Sequence, residues 1–405
     1  MVEEQRGLCV GLALLYAPKG VRPVAIGLAL IGLVCSTASA LGAVLATLPI
    51  TPGRLAYYAL VAGGLTPRLT AIGAMGCLLA APTVRHARHA RWLSFAAIGA
   101  GVLGAGVSAA LSAPILWAAR SRGQSVSVRA SLCGRYTHHD PGPEVVTFAS
   151  GVGWQLDADL YRPPKASPPV QPVPSVIVVH GGAWRWGDKS DNPQWNQWLA
   201  RRGYLVLDIQ YRLAPAADWR TAVGDIRCAV QWLRTHAAEL GADPERVAIL
   251  GRSAGGHLAL LAAYATDEAA YAPPVWCVIA MYAPVHLRRL YADACRTQAH
   301  DVREGLCAVL GSTPSTGGEA YRLASPLERV SPDVPPTLLI HGTWDTTVRP
   351  EHSAMLAQKL KKEGVVVQLV RVPFARHAFD LVADGLGTQL AQAAVAGFLA
   401  DRSRR

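Results

Sequence analysis

Hydrophobic and polar positions follow different rhythms in the two ends of this 405-residue chain. Over the first 120 residues the apolar positions show no period at all. No charged residue occurs between Pro23 and Gly53 or between Trp92 and Ala119, and residues 55–83 are apolar apart from Arg68. Each stretch exceeds the roughly 20 apolar residues that cross a hydrocarbon core. The pattern predicts an all-α membrane region, residues 1–120, with three transmembrane helices at 24–48, 55–82 and 92–118. The middle one carries Gly63, Gly64, Pro67 and Arg68. A charge at that depth is costly, so this span is read as broken, re-entrant, or directing Arg68 toward the other helices. Ala38-Ser39-Ala40 keeps a cleaved signal peptide open as the alternative for the first span.

From residue 144 the rhythm changes. A polar connector, 121–143, ends in Pro141-Gly142-Pro143, and the stretches 144–148 and 154–161 alternate at period two as a hairpin with one solvated face does. Residues 162–174 are proline-rich and read as a surface loop. Short apolar runs at 175–179, 204–209, 247–252, 275–281, 337–340 and 365–372 are then separated by helical patterns at 191–202, 220–238, 254–264, 350–363 and 384–401. Strand and helix in alternation, with strands apolar throughout, predict a mostly parallel sheet covered on both faces, an α/β domain over 144–402. Residues 286–323 break the alternation. They read as an irregular, charged insertion forming a cap.

Charge changes this picture in one respect. The formal net charge is +11, but the excess flanks the apolar stretches or is scattered, with no basic stripe interleaved with aromatics, so no nucleic-acid partner is expected. Arg6, Lys19 and Arg22 precede the first span, and Arg85, Arg88 and Arg91 crowd the turn between the second and third. With three spans these groups share one side, which the positive-inside rule makes cytoplasmic. That places the α/β domain outside the cytoplasm, in a multi-pass protein of the cell membrane with membrane lipids as partners. Arg120 and Arg122 weigh against this orientation, and two or four spans would reverse it. The eight cysteines show no C-x-x-C and no zinc spacing, so neither metal nor cofactor is expected. In an oxidising compartment Cys295 and Cys307 could pair as a disulfide.

The candidate chemistry centres on Gly251-Arg252-Ser253-Ala254-Gly255-Gly256, which follows an apolar strand and opens a helix. A serine on such a turn projects its hydroxyl away from the chain, near a helix N-terminus, and small neighbours are needed because a side chain there would meet the adjoining strand or helix. This is the nucleophile elbow of α/β-hydrolases. A serine hydroxyl needs a base, and the base needs an orienting carboxylate. Asp345 and His377 each follow a strand and come after Ser253 in that order, with Asp380 and Asp384 as fallback acids; His257, His341 and His352 are read as structural. His180-Gly181-Gly182-Ala183-Trp184 follows another strand, and the backbone N–H groups of Gly181, Gly182 and Ala254 are the candidate oxyanion donors. Ala183, Trp184 and Trp186 could line a substrate pocket, or the tryptophans could pack the loop on the sheet.

These motifs together with Tyr211-Arg212-Leu213-Ala214-Pro215 resemble the hormone-sensitive-lipase-like carboxylesterases and the related isoprenylcysteine methylesterase and kynurenine formamidase branches of the α/β-hydrolases. The resemblance covers about residues 140–402 and leaves the membrane region uncovered. It implies Ser253 as nucleophile, Asp345 as acid and His377 as base in a serine hydrolase that cleaves a small-molecule or lipid-like ester through an acyl-enzyme, without a cofactor. Two departures stand out. Many of these enzymes have a third glycine where Ala183 stands and an acidic residue where Arg252 stands. Amide or formamide hydrolysis is the alternative within the fold, and a catalytically silent, membrane-tethered binding protein the alternative outside enzymes.

Overall fold

The computed structural model of the chain describes residues 22–48, 54–86, 91–134, 142–164, 172–264, 275–297 and 299–403. Arg6, Lys19 and Arg88, on which the expected orientation partly rests, and part of the proline-rich loop at 162–174 lie outside the described residues. The chain divides into two compact units, a helical one reaching to Gly134 and one built around a sheet.

The helical unit contains α1 (Arg22–Thr47), α2 (Arg54–Gly64), α3 (Thr66–Ala80) and α4 (Arg91–Arg120). Two of its helices, Val24–Thr47 and Arg91–Arg120, are long and apolar enough to cross a membrane, one of them near the N-terminus. The middle apolar stretch is broken, one of the forms expected for it. It is split at Leu65, and the pieces of 11 and 15 residues are each too short to cross alone. Pro67 stands in the first turn of α3, where it offers no N–H and its ring crowds the carbonyl four residues back. Leu65 leaves helical geometry (φ −96°, ψ 12°) while its N–H still reaches Val61 O at 3.0 Å, so the chain bends without opening into a loop. Arg68 is half-buried.

Burial in this unit is reversed from that of a water-soluble bundle. Small and weakly polar residues fill the inside, among them Ala29, Ser36, Ser39, Gly73, Gly76, Ala97, Gly101 and Gly104. Large apolar side chains point outward, with Val34 69%, Leu78 68% and Trp117 72% exposed. Small residues let the backbones approach closely. A Cβ at Gly73 would lie 2.8 Å from Gly101 O, and one at Gly32 2.8 Å from Gly76 O. Hydroxyls stitch the interior: Ser39 Oγ donates to Leu69 O (2.7 Å), Ser112 Oγ to Thr66 Oγ1 (2.9 Å), and Thr83 Oγ1 lies 2.6 Å from Ser94 Oγ. Within the connector, Val128–Cys133 forms a short helix capped by Ser127.

The second unit is an eight-stranded sheet in the order β1-β2-β4-β3-β5-β6-β7-β8. Its strands are β1 (Glu144–Gly151), β2 (Trp154–Tyr161), β3 (Val173–Val179), β4 (Leu205–Ile209), β5 (Ala242–Arg252), β6 (Cys277–Met281), β7 (Thr337–Gly342) and β8 (Val367–Val372). The hairpin β1–β2 is antiparallel and joins β4 antiparallel; every later pair is parallel. The inner strands β4 and β6 are buried at every position, which their unbroken apolar runs require, whereas β1 at the edge keeps a solvated face.

Helices α5 (Pro193–Ala200), α6 (Trp219–Thr235), α7 (Ala254–Tyr264), α8 (Leu287–Thr297), α9 (His300–Leu310), α10 (Gly318–Leu323), α11 (Glu351–Lys362) and α12 (Leu386–Ser403) complete the unit. Helix α6 starts where the Asp218 carboxylate accepts the Thr221 N–H and buries Ala222, Val223, Ile226, Ala229, Val230 and Leu233, one face at helical spacing. Helix α7 is hydrophobic all round except for His257, and among its residues only Ala263 is not fully buried.

The insertion expected to be irregular is helical. Leu287, Leu290 and Ala294 on α8, and Val302, Leu306 and Val309 on α9, form short apolar stripes. A density of charge, including the ion pairs of Asp293 with Arg289 and Arg296, hides that period in the sequence. Cys295 and Cys307, on neighbouring helices of this insertion, are free thiols.

The bundle interior gives a paired test. A Cβ at Gly104 would fall 2.4 Å from Ser39 Oγ and 2.6 Å from Ala40 N, while one at Gly106 meets nothing within 4 Å. Gly104→Leu is expected to lower the stability of the detergent-purified protein by about 1–3 kcal/mol through overpacking, and Gly106→Leu to be near neutral. Thermal melts of the two variants side by side check this; equal melting points would contradict the close packing.

Candidate active site

Four loops at the carboxyl ends of parallel strands bring the candidate residues together, the edge where ligands bind in open α/β sheets. After β5 the chain turns into α7 within one residue. Ser253 sits at φ 53°, in the left-handed region that costs a non-glycine residue energy. Its N–H donates to Met281 O at 2.9 Å and its carbonyl accepts the His257 N–H at 3.0 Å, which hold the strained turn. The glycines are required by contact. A Cβ at Gly251 would lie 2.3 Å from Gly255 O, and one at Gly255 2.2 Å from His180 O.

His377 follows β8 on a loop tied to the one after β7. Trp344 N–H donates to Ala375 O (2.9 Å), Phe374 N–H to Thr343 Oγ1 (2.8 Å), and Gly342 must lack a side chain because a Cβ there would meet Ala375 O at 2.2 Å. The imidazole spans the gap between the other two side chains, with Nε2 2.8 Å from Ser253 Oγ and Nδ1 2.7 Å from Asp345 Oδ2. Asp345 is buried. Its Oδ1 accepts the N–H groups of Thr347 and Val348, both at 2.9 Å, and Oδ2 also lies 3.3 Å from His341 Nε2. Burial alone would raise its pKa, but His377 and the hydrogen bonds of the two histidines outweigh that and hold the carboxyl well below the usual range.

The loop after β3 lies against the elbow. A Cβ at Gly181 would be 3.2 Å from Arg252 O and 3.5 Å from Ser253 Cβ, and Gly182 adopts φ 109°. Among the described residues the N–H groups of Gly181 and Gly182 donate to no backbone carbonyl, and that of Ala254 is in the first turn of α7, where a helix supplies no acceptor. Tyr211 supports the loop: its ring stacks on His180 at 4.3 Å and its hydroxyl reaches His180 O at 3.3 Å. The next residue, Arg212, anchors the motif to α6 through Asp225.

Several expectations divide on burial. Trp184 is 2% exposed, so it packs the loop on the core and offers no face to a ligand; Trp186 is 45% exposed and Ala183 half-buried. The indole N–H of Trp184 donates to His257 Nδ1 at 3.1 Å, and His257 Nε2 bonds Ala324 O at 2.7 Å. Burial lowers the pKa of His257 to about 4, so it stays neutral, a structural residue. The fallback acid Asp380 is turned away from the imidazole nitrogens and toward Arg252 Nε, at 2.6 Å. Sequence reasoning missed that pair and Tyr282, whose ring lies edge-on to His377 with centroids 4.8 Å apart. Neither has a local signal, since positions 252, 282 and 380 meet only through tertiary folding.

The model of the BD-FAE family matches residues 158–360, which is half of the chain and holds Ser253 and Asp345 while stopping short of His377. Among relatives, the probable carboxylic ester hydrolase LipM of Mycobacterium tuberculosis is 31% identical over 56% of this chain, and esterase LipC of the same organism 32% identical over 60%. The chain spans 54% and 61% of the lengths of these two curated relatives. Among solved structures, the native Est2 esterase of the planctomycete Thermogutta terrifontis superposes with a TM-score of 0.55 at 26% identity, over 66% of this chain and 95% of that one. This chain belongs to the BD-FAE family, and its second unit is a carboxylesterase- and lipase-like α/β-hydrolase domain.

Proposed function

We propose that the second unit hydrolyses carboxylic esters through an acyl-enzyme on Ser253. The observation that carries this is the unbroken run of hydrogen bonds from Ser253 Oγ through the His377 imidazole to Asp345, at 2.8 and 2.7 Å. His377 Nε2 takes the Ser253 proton as Oγ attacks the ester carbonyl. The oxyanion of the tetrahedral intermediate accepts hydrogen bonds from the N–H groups of Gly181, Gly182 and Ala254. The C–O bond to the alcohol then breaks, and the alcohol leaves with the proton returned by His377. Water deprotonated by His377 attacks the acyl-enzyme, and the acid departs as Ser253 regains its proton. Asp345 fixes the Nδ1–H tautomer and stabilises the imidazolium. Ala183 and the exposed Trp186 border the site and suit an apolar acyl or alcohol group.

The first unit serves, in this reading, as a multi-pass membrane anchor. Only 28% of the most apolar window of α1 and of α4 is buried, so these are not core helices of a water-soluble protein, and their large apolar side chains face outward as a lipid environment favours. Helices α2 and α3 together make the third crossing, kinked at Leu65. With three crossings the basic residues flanking them put the hydrolase domain outside the cytoplasm, and a site tethered at a bilayer suits lipid-like esters.

Ser253→Ala is expected to abolish hydrolysis of p-nitrophenyl butyrate, a loss of at least about 10³-fold in kcat; turnover within tenfold of the parent would refute the assignment. Protease added to whole cells should cleave the hydrolase domain, and full protection until lysis would reverse the orientation. A third expectation comes from Asp345. Its folded pKa is depressed, so its ionisation adds stability at pH values above the ordinary aspartate range near 4, and that stability is lost as the pH falls through this range toward the folded value. Asp345→Asn should therefore lose less melting temperature than the parent between pH 7 and pH 3, measured by calorimetry, together with a fall in kcat of up to about 10⁴-fold at pH 7.

A further inference from the structure

A buried polar network runs beside the Ser253–His377 pair without entering the proton transfer. The ring of Tyr282 stands against the imidazole of His377, with centroids 4.8 Å apart and planes at 65°. Its hydroxyl donates to Asp380 Oδ1 at 2.5 Å, and the other oxygen of that carboxylate takes the Nε–H of Arg252 at 2.6 Å. All three side chains are buried. The network thus starts on the residue bonded to Ser253 and ends on the ring of the histidine.

Three observations argue that this arrangement does more than fill space. A phenylalanine would pack against His377 as well as a tyrosine, yet the hydroxyl is present and is bonded to a buried carboxylate. Placing an ion pair in the interior is costly, and removing one partner costs more, so the pair commits the fold to this geometry. Tyr282 also sits at φ 41°, its N–H held by Ile340 O at 2.7 Å, a backbone conformation a β-strand exit does not otherwise need. Burial, with the nearby Asp380 charge, keeps the phenol protonated far above its ordinary range, so it remains a donor at every working pH.

We infer that Tyr282, held by Asp380 and Arg252, is a positioning residue for His377, fixing the plane of the imidazole between Ser253 and Asp345. A phenol bonded to a buried carboxylate cannot swing aside, so its ring bars the imidazole from turning out of the line between Ser253 and Asp345. The other groups around the imidazole are Asp345 on Nδ1, Ser253 on Nε2, His341 behind Asp345, and the chain neighbour Arg376. Tyr282 contacts the ring without bonding a ring nitrogen.

This inference rests on Ser253 and His377 acting as proposed above, and the test separates the two. The full chain is purified in detergent, active sites are counted by fluorophosphonate labelling taken to completion, and p-nitrophenyl butyrate is the substrate. Tyr282→Phe keeps the ring and removes its bond to Asp380. Per labelled site, kcat is expected to fall about fivefold with KM changed less than twofold. Asp380→Asn should act in the same direction, and the double variant should be no worse than the poorer single one, since both break one network. An unchanged kcat per site in Tyr282→Phe overturns the inference, as does a loss carried by KM or one accounted for entirely by fewer labelled sites. Should Asp380→Asn not fold, Tyr282→Phe alone decides. Retained turnover in Ser253→Ala would instead bring down the underlying reading.

Discussion

The hydrolase unit depends on how closely the chain approaches itself at the elbow. The carbonyls of Val179 and His180 press so near Gly255 that a Cβ would lie 2.3 and 2.2 Å from them, and Gly251 is crowded in the same way from the helix side. Closeness of this kind cannot be relaxed at one point alone. It seats the first turn of α7 against the end of β3, it brings Gly181 beside Ser253, and it forces Ser253 into a left-handed conformation that directs the hydroxyl out of the sheet. The strain is offset by the hydrogen bonds of the Ser253 N–H and carbonyl and by the near-complete burial of α7.

Around that corner several buried polar groups are paired. Asp345 gathers two backbone N–H groups and approaches two histidines. His341 in turn bonds Ser353 Oγ at 2.7 Å and Val348 O at 2.8 Å, so it anchors the loop that carries the acid. His257 holds the Trp184 indole on one side and the Ala324 carbonyl on the other, joining the loop after β3 to the segment after α10. An imidazole suits this task, because one neutral ring offers a donor and an acceptor at fixed angles. The basic residue next to the serine is only partly paired: Arg252 is buried with its Nε bonded to Asp380, while Nη1 and Nη2 have no hydrogen-bond partner among the described residues.

The two units obey opposite rules of burial. In the sheet unit the large apolar residues are inside, together with a minority of polar groups. In the helical unit glycine, alanine and serine are inside and the large apolar residues outside. Backbones brought close by small residues gain van der Waals contact that does not depend on water expelling apolar surface.

Much of this was legible in the sequence. The length of the uncharged apolar stretches marked the first helices, and periodicity marked the hairpin and the alternation of strand and helix, because the side-chain periods of helix and strand follow from local geometry. The motifs around Gly181, Ser253, Asp345 and His377 were legible because each occupies a strand end followed by small residues, a local arrangement with a local signature. The kink at Leu65 was half legible, in Pro67 and its neighbouring glycines. Tertiary structure alone decided the rest. The helices between Leu287 and Leu323 were hidden by charge, Trp184 went to the core while Trp186 stayed exposed, and Asp380 was given to Arg252 and Tyr282 and not to His377. These outcomes turn on which side chains meet across loops far apart in the chain, and distance through space is a property no short window of sequence contains.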